Sequence, residues 1–484
     1  MPQRSWLSKS TAGRAGRTLL PALALLITAG CAQRPPTSTP EPVDATLSRI
    51  EAHAADNRLG YALVAELTTI GPRIAGGPND ARAREWAMRT LSDLGYDRVW
   101  TEAVRFPVWE RGPASATLTR PDQLPAGLAI LALGGSMGTP AGGLTAPVVR
   151  FESFEALRDA PADAAVGKIV FIDRRMDRSI DGSGYGAAVA ARVQGPSVAA
   201  QKGAIALLIR SVGTDVDSPN PHTGTLRYDQ TPTRIPAAAL SHTSADQLAA
   251  ALAQGPASVA LDMAARTRGE DYEGANVIAE ITGAQRPEEI VLLGAHLDSW
   301  DVGTGALDDA SGIGITFAAP VLLKQLGLRP DRTIRVVAFA NEEQGLYGGN
   351  AYGLAHAAAG PQHALAMEAD FGDGRVYRVD TPLLAERRDE LAPLLAALGR
   401  LGIAVGEPRA NGGPDLRGIA AQGATLVDLK QDGNRYFDYH HTAGDTLDKV
   451  DPAAIRQVTT AFALTTWYFA RSDWQHQPGT PTAR

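Results

Sequence analysis

Cysteine is all but absent: the 484 residues hold one, Cys31. No intrachain disulfide can form, so stability outside a reducing compartment has to come from packing and from bound metal. Excess positive charge is lacking too. Lys and Arg number 46 against 53 Asp and Glu, for a formal charge of -7, and no basic run beyond the N-terminus could track a phosphate backbone. That argues against nucleic acid as a partner. Long apolar runs are missing: Leu19 to Ile27 falls short of the roughly 20 residues that cross a bilayer, and no later segment reaches that length uninterrupted. Nucleotide and serine-hydrolase signatures are missing as well. Gly134-Gly135-Ser136-Met137-Gly138 runs on into Thr139-Pro140 where a helix is required, and Gly182-Ser183-Gly184-Tyr185-Gly186 reads as a glycine-rich turn without a flanking strand.

What is present is an ordinary globular composition, 44% hydrophobic and 20% charged, long enough for two or three domains. Arg4, Lys9, Arg14 and Arg17 precede the apolar run, in the order of an export signal spanning residues 1–31. Cys31 follows Thr28-Ala29-Gly30, which resembles the lipidation box of bacterial lipoproteins, with plain signal cleavage as the alternative. The expectation is a protein on the periplasmic side of a bacterial membrane or secreted, touching membrane only through this anchor. Residues 32–43, rich in Pro, Ser and Thr, read as a stiff tether.

From Asp44 to Leu94 the pattern is helical, with Ala83, Trp86, Ala87, Thr90, Leu91 and Leu94 on one face and Gly95 as a stop. Residues 44–111 form the first part of a larger domain, and residues 112–263 change character towards Ala, Gly, Pro and short strands, reading as an insert. Val148–Phe151, Gly167–Asp173, Ala199–Ile209 and Ile235–Ala239 resemble pieces of the protease-associated module. Residues 264–474 then alternate apolar strands (Asn276–Ile281, Ile290–Ala295, Arg332–Ala340, Ala364–Met367, Ala424–Leu429) with helices (Ala310–Leu326, Leu346–Ala357, Leu383–Leu401, Pro452–Ala470). This predicts an α/β layer structure with reactive groups at the strands' carboxyl ends. Residues 475–484 are expected to be a disordered tail.

Those ends carry the chemistry. His296 and Asp298 close one strand, with Asp298 placed to orient the imidazole. Asp308 and Asp309 sit in a tight turn at a helix start, where Asp309 reads as a cap. Glu342 and Glu343 follow the strand Ile334–Phe339, Glu368 and Asp370 end another, and His440-His441 precede the last helix. Adjacent buried carboxylates are costly without a cation. Two histidines and three carboxylates with spare acids beside them suit two zinc ions bridged by one carboxylate and a water.

With Gly71-Pro72-Arg73, Trp109-Glu110-Arg111-Gly112, His296-Leu297-Asp298-Ser299-Trp300-Asp301 and His440-His441, the chain resembles the di-zinc exopeptidase family of bacterial leucyl aminopeptidases and glutamate carboxypeptidase, including plasma glutamate carboxypeptidase. The resemblance implies a three-layer α/β sandwich with a mixed central sheet plus an inserted protease-associated domain. It implies Asp308 as bridging ligand, His296 and Asp370 on one zinc, Glu343 and His441 on the other, Glu342 as general base, and Asp298 orienting His296. It favours dipeptides or short peptides as substrates and a homodimer as the assembly. Trp300, Asp301, Asp415, Tyr436, Tyr439 and His440 stand near the ligands in sequence and are candidates for the substrate pocket or for core positions. His53, His222, His242, His356 and His363 match no motif. A metal-free receptor ectodomain of the same fold and a single-zinc glutaminyl cyclase are the rival readings; retention of both ligand sets and of Glu342 argues against each.

Overall fold

The computed structural model describes residues 41–121, 123–229, 233–471 and 473–476. Cys31, the export stretch, most of the tether and residues 477–484 lie outside them. Residues from Pro42 onward form one compact unit.

Its centre is a five-stranded mixed sheet in the order Arg98–Glu110, Arg266–Ile281, Arg332–Phe339, Arg286–His296, His363–Glu368. The first two junctions are antiparallel and the last two parallel. The last three strands in that order are buried along most of their length, as the part of a sheet covered on both sides must be. Val291, Leu293 and Ala295 pack with the helices Leu59–Thr68, Ser311–Gln325 and Pro452–Ala470. On the opposite face Ile290 and Leu292 meet Tyr352, Leu416 and Ile419. Helix, sheet and helix make the expected three layers. The stretch Ala306–Gln325 is long and apolar enough to span a bilayer by composition, but it is buried in the protein from Ala306 to Leu323.

Between the first two central strands the chain departs to build a second, eight-stranded sheet from residues 114–263 alone. The four anticipated pieces fall on the strands Leu144–Phe151, Ile169–Ile172 and Ala206–Arg210, the helix Gly195–Gln201, and the strand Ala237–Leu240.

Two expected elements differ. Leu383–Leu401 is not one helix: Arg387 leaves helical geometry (φ -131°, ψ 26°) to lay its guanidinium 3.8 Å from the Trp474 ring centroid, and the chain resumes as a helix only at Ala392–Arg400. The strand expected at Ala424–Leu429 lies at Asp428–Gln431, in a three-stranded sheet with Val376–Asp380 and Ala404–Val405. Before it, Thr425 and Val427 only touch the central edge strand, through the Ala366 amide and carbonyl and the His363 carbonyl.

Candidate metal centre and substrate cleft

The parallel register sets the site. His296 pairs with Phe339 and Gly294 with Glu368, so the chain leaves three neighbouring strands at one edge, carrying His296, Glu342-Glu343 and Asp370 to the same place. Asp308 reaches it from the turn before the buried helix, and His440-His441 from the loop after the short helix Tyr436–Tyr439.

Asp308 stands at the middle. One carboxylate oxygen is 3.1 Å from His296 Nε2; the other is 3.2 Å from His441 Nε2 and 3.6 Å from His440 Nε2. Asp370 lies 3.5 Å from His296 Nε2 on one side, and Glu343 3.0 Å from His441 Nε2 on the other. All five are sheltered from solvent. His296, Asp308 and Glu343 form one group whose ligand atoms lie within 4.8 Å of one another, Asp308, His440 and His441 a second, and His296, Asp309 and Asp370 a third.

The hydrogen-bond inventory fits a cation. Asp308 Oδ2 faces His441 Nε2 yet makes no hydrogen bond with it, and Glu343 Oε1 is likewise buried without a partner among the described residues. Burial, then the facing Asp308 carboxylate, pushes Glu343 up to about 7. Burial opposes a charge on His441, but Glu343 and Asp308 outweigh it and raise the imidazole to about 9. In the metal-free protein the site therefore gathers protons in place of metal, as a cluster of unneutralised acids must.

Each ligand is braced. The His296 amide donates to Asp309 Oδ2 (3.1 Å), and Asp309 Oδ1 accepts from Gly312 N (2.9 Å) at the start of the helix. Asp309 thus caps as expected, although its carboxylate also comes within ligand reach. Asp445 accepts from the amides of Leu307 (2.6 Å) and Asp308 (3.2 Å), which gives the Thr442–Asp445 stretch its purpose. Arg73, fully buried, donates to the carbonyls of Leu297, Thr304 and Gly305, strapping the His296 loop to the Asp308 turn. Three non-glycine residues with left-handed backbone, Asn341, Leu346 and His441, flank the site, where local strain tends to collect.

Asp298 meets His296 chiefly through its backbone. The His296 Nδ1 partner is the Asp298 backbone carbonyl at 3.1 Å, while the carboxylate stands 3.7 Å away. That carboxylate also accepts from the amides of Glu342 (3.0 Å) and Glu343 (3.4 Å), so it fixes the acidic pair. Two adjacent amides offer a carboxylate more than a ring edge already bonded to a carbonyl.

A cleft of about 510 Å³ opens over the centre. Glu342 lines it; burial, helped by Asp370, Asp415 and Glu343 against His296, holds its carboxyl well above the usual range. Tyr436 and His440 line it too, with the Tyr436 ring stacked 5.0 Å from Phe371. Trp300, Asp301, Asp415 and Tyr439 do not face it. Trp300 is wedged edge-on to His441 and against Trp109, a packing position. Asp301 is tied to Arg111 at 2.6 Å. Asp415 receives the Gly349 amide behind the acidic pair, and the Tyr439 ring lies under Lys449.

The cleft also holds residues the sequence reading passed over: Tyr185, Arg192, Thr225, Arg227 and Arg417. Gly182–Gly186 is no mere turn. Gly182, at φ 71°, starts a helix Ser183–Ala188 that brings Tyr185 to 5.3 Å from the His440 ring. The glycine-rich spelling hid that helix, and only a lone tyrosine within it hinted at a contact.

A sheltered set of two imidazoles and three or more carboxylates at the carboxyl edge of a mixed α/β sheet defines a metallopeptidase. The chain belongs to peptidase family M28, whose model matches residues 276–466. It is 37% identical to carboxypeptidase Q of Mus musculus over 409 residues, 84% of each chain. It superposes on a peptidase M28 precursor from Shewanella amazonensis with a TM-score of 0.86 at 42% identity, covering 91% of this chain and 99% of that one. A zinc aminopeptidase from Bacillus subtilis shares the fold, with a TM-score of 0.61 at 19% identity over 87% of this chain and 97% of its own.

Proposed function

We propose that this chain is an exported exopeptidase that binds two zinc ions and hydrolyses dipeptides or short peptides. The observation that carries the reading is the position of Asp308, whose two oxygens face His296 on one side and His441 on the other. Asp308 would be shared, His296 and Asp370 would serve one ion, and Glu343 and His441 the other. When bound, such a pair acidifies an attacking water and polarises the scissile carbonyl.

The chain's own residues do the rest. Glu342, held at its amide by Asp298 and kept well above the usual carboxylate range by burial and its acidic neighbours, takes the proton of the attacking water and returns it to the departing amine. Such a base contributes about 10²- to 10⁴-fold. Asp298, by fixing both amides of the pair, keeps base and ligand in register. A cleft of about 510 Å³ is of small-ligand size and suits one or two residues on either side of the scissile bond. Tyr185, Phe371, Tyr436 and Phe437 offer it aromatic walls, and Arg192, Arg227 and Arg417 add positive charge for a substrate carboxylate.

Residues 112–263 act as a protease-associated insert, Cys31 carries a lipid anchor, and the protein works as a homodimer; the signal-like N-terminus and the resemblance to the family support these parts. The deciding experiment measures metal content together with hydrolysis of free dipeptides, N-blocked dipeptides and aminoacyl amides. Two zinc ions per chain with cleavage that needs a free amino end is the expected result. Cleavage of N-blocked substrates would make it a carboxypeptidase, and neither metal nor turnover after added zinc would sink the enzyme reading. Detergent phase partitioning of wild type and Cys31→Ala tests the anchor.

A further inference from the structure

The two halves of the metal centre are braced by different parts of the molecule. Around His296 and Asp370 the braces come from outside the insert: the Asp298 carbonyl on His296 Nδ1, the Asp309 carboxylate on the His296 amide, the Gly294 carbonyl on the Ala369 amide, and Arg73 on the Leu297 carbonyl. Around Glu343 and His441 the insert adds braces of its own, beside the Asp298 carboxylate on the Glu343 amide. Thr223 grips His441 twice, its amide donating to the His441 carbonyl (3.0 Å) and its carbonyl accepting from His441 Nδ1 (3.2 Å). Thr225 Oγ1 donates to the Glu343 carbonyl (2.7 Å), and His222 Nδ1 donates to the His440 carbonyl (2.7 Å).

Arg192 completes the set. Buried and without a carboxylate partner at salt-bridge distance among the described residues, it donates through Nη1 to the same Thr223 carbonyl (3.2 Å), with that nitrogen 3.5 Å from His441 Nδ1, and through Nη2 to the Tyr185 hydroxyl. With the Thr223 carbonyl accepting from both donors, His441 Nδ1 bears a proton, and Nε2 is the nitrogen left to serve as a ligand beside Asp308 and Glu343. A histidine that ligates metal depends on this kind of support for orientation and basicity. His441 also holds a left-handed backbone at φ 63°, a conformation that persists only where its surroundings enforce it.

We infer that Arg192 and the insert loop His222–Thr225 are positioning elements for the Glu343–His441 half of the centre alone, so that one of the two metal sites depends on the insert and the other does not. The inference rests on the two-zinc reading above. Nothing in residues 222–225 approaches a metal-ligand spacing motif, which is why a sequence pattern passes over them.

The test is a zinc titration of metal-free wild type, Thr225→Val and Arg192→Lys against a chelating indicator, repeated with cobalt so that its absorption spectrum reports the coordination of each ion. Glu343→Gln and Asp370→Asn serve as spectral references for the two halves, and thermal melting of the metal-free forms shows whether the variants fold. The wild type is expected to take two ions. Both insert variants should weaken the ion assigned by the Glu343→Gln spectrum about 10- to 100-fold and leave the other within about twofold, with metal-free melting unchanged. Equal weakening of both ions, or of neither, overturns the inference while the two-zinc reading stands. A wild type that binds one ion or none overturns that reading and the inference with it. Should Arg192→Lys fail to fold, Thr225→Val, which keeps side-chain volume and removes one hydroxyl, decides the matter by itself.

Discussion

The two large sheets of this molecule handle charge in opposite ways. At the tip of the insert strand Ile169–Ile172, Asp173 is held between Arg210 (2.6 Å) and Arg150 (2.7 Å), so its charge is answered within the protein. At the tips of the central strands, Glu342, Glu343, Glu368 and Asp370 crowd together with Asp308, Asp309 and Asp415 and have imidazoles in place of guanidinium partners. Burying carboxylates without cations is among the most unfavourable things a fold can do. A sheet that does so at one edge only has been shaped for something that binds there, whereas a sheet that pairs its charges is scaffold.

The sharpest way to break that contrast is to neutralise one acid in each sheet. Glu342→Gln is expected to lower turnover by about 10²- to 10⁴-fold with metal content and melting temperature preserved. Asp173→Asn should leave turnover intact and lower stability by about 1.5 to 3 kcal/mol, the worth of a hydrogen bond to a charged group, because buried Arg210 loses one of its two carboxylate partners and keeps Asp246 at 2.8 Å. Steady-state rates, metal analysis and thermal melts on both variants check the pair. A Glu342→Gln enzyme with wild-type rates would remove the base from Glu342.

Next in size is Arg73→Met. It leaves three carbonyls, those of Leu297, Thr304 and Gly305, without their buried donor, at about 1 to 3 kcal/mol for each unsatisfied group. Because these carbonyls belong to the loops that aim His296 and Asp308, metal affinity should fall along with stability. Chemical denaturation with and without zinc separates the two effects; loss of stability alone would make Arg73 a core strut with no hold on the site.

The contrast has a pH signature. In the metal-free protein burial is the main cause that pushes Asp445 up to about 7 and Asp415 to about 8. Acids whose folded value exceeds the unfolded one near 4 lose stability as pH rises from about 4 towards 8. In the insert, His222 and His242 are buried neutral, held at about 3 and about 4. Bases whose folded value lies below the unfolded one near 6.5 lose stability as pH falls from about 6.5 towards 3. Metal-free protein should therefore melt highest near pH 5 to 6 and lose ground on both sides, each limb worth on the order of a few kcal/mol. Zinc should flatten the alkaline limb and His242→Gln the acid one. An alkaline limb that zinc leaves unchanged would detach those acids from the metal centre.

How much of this was legible in the sequence follows from how each contact is made. The ligands could be read because strand, turn and acid lie consecutively: an apolar run ending in Ala295-His296 or Phe339-Ala340-Asn341-Glu342-Glu343 announces itself. The layer architecture was legible for the same reason. Contacts made across two hundred residues were not. Thr223 meets His441 through backbone atoms, which every residue type carries, so no spelling marks it. Asp298 was assigned to His296 because they are two residues apart, yet its carboxylate serves amides more than forty residues downstream. Pocket residues proposed by proximity divided the same way: Tyr436 and His440 line the cleft, whereas Trp300, Asp301, Asp415 and Tyr439 brace what surrounds it.

That division supplies the smallest expected effect. Tyr436 and Tyr439 stand one helical turn apart on Tyr436–Tyr439, and sequence gives no ground for treating them differently. In the fold the Tyr436 ring is 5.0 Å from both Phe371 and His440, on the cleft side, and Tyr439 turns outward beneath Lys449. Tyr436→Phe keeps both ring contacts and removes only a hydroxyl available to substrate, so KM should rise about 2- to 10-fold, the worth of one hydrogen bond, with kcat little changed. Tyr439→Phe should change neither. A KM effect at Tyr439 that equalled the one at Tyr436 would mean that the substrate extends past the His440-His441 loop, and the cleft would then have to be redrawn around a longer peptide.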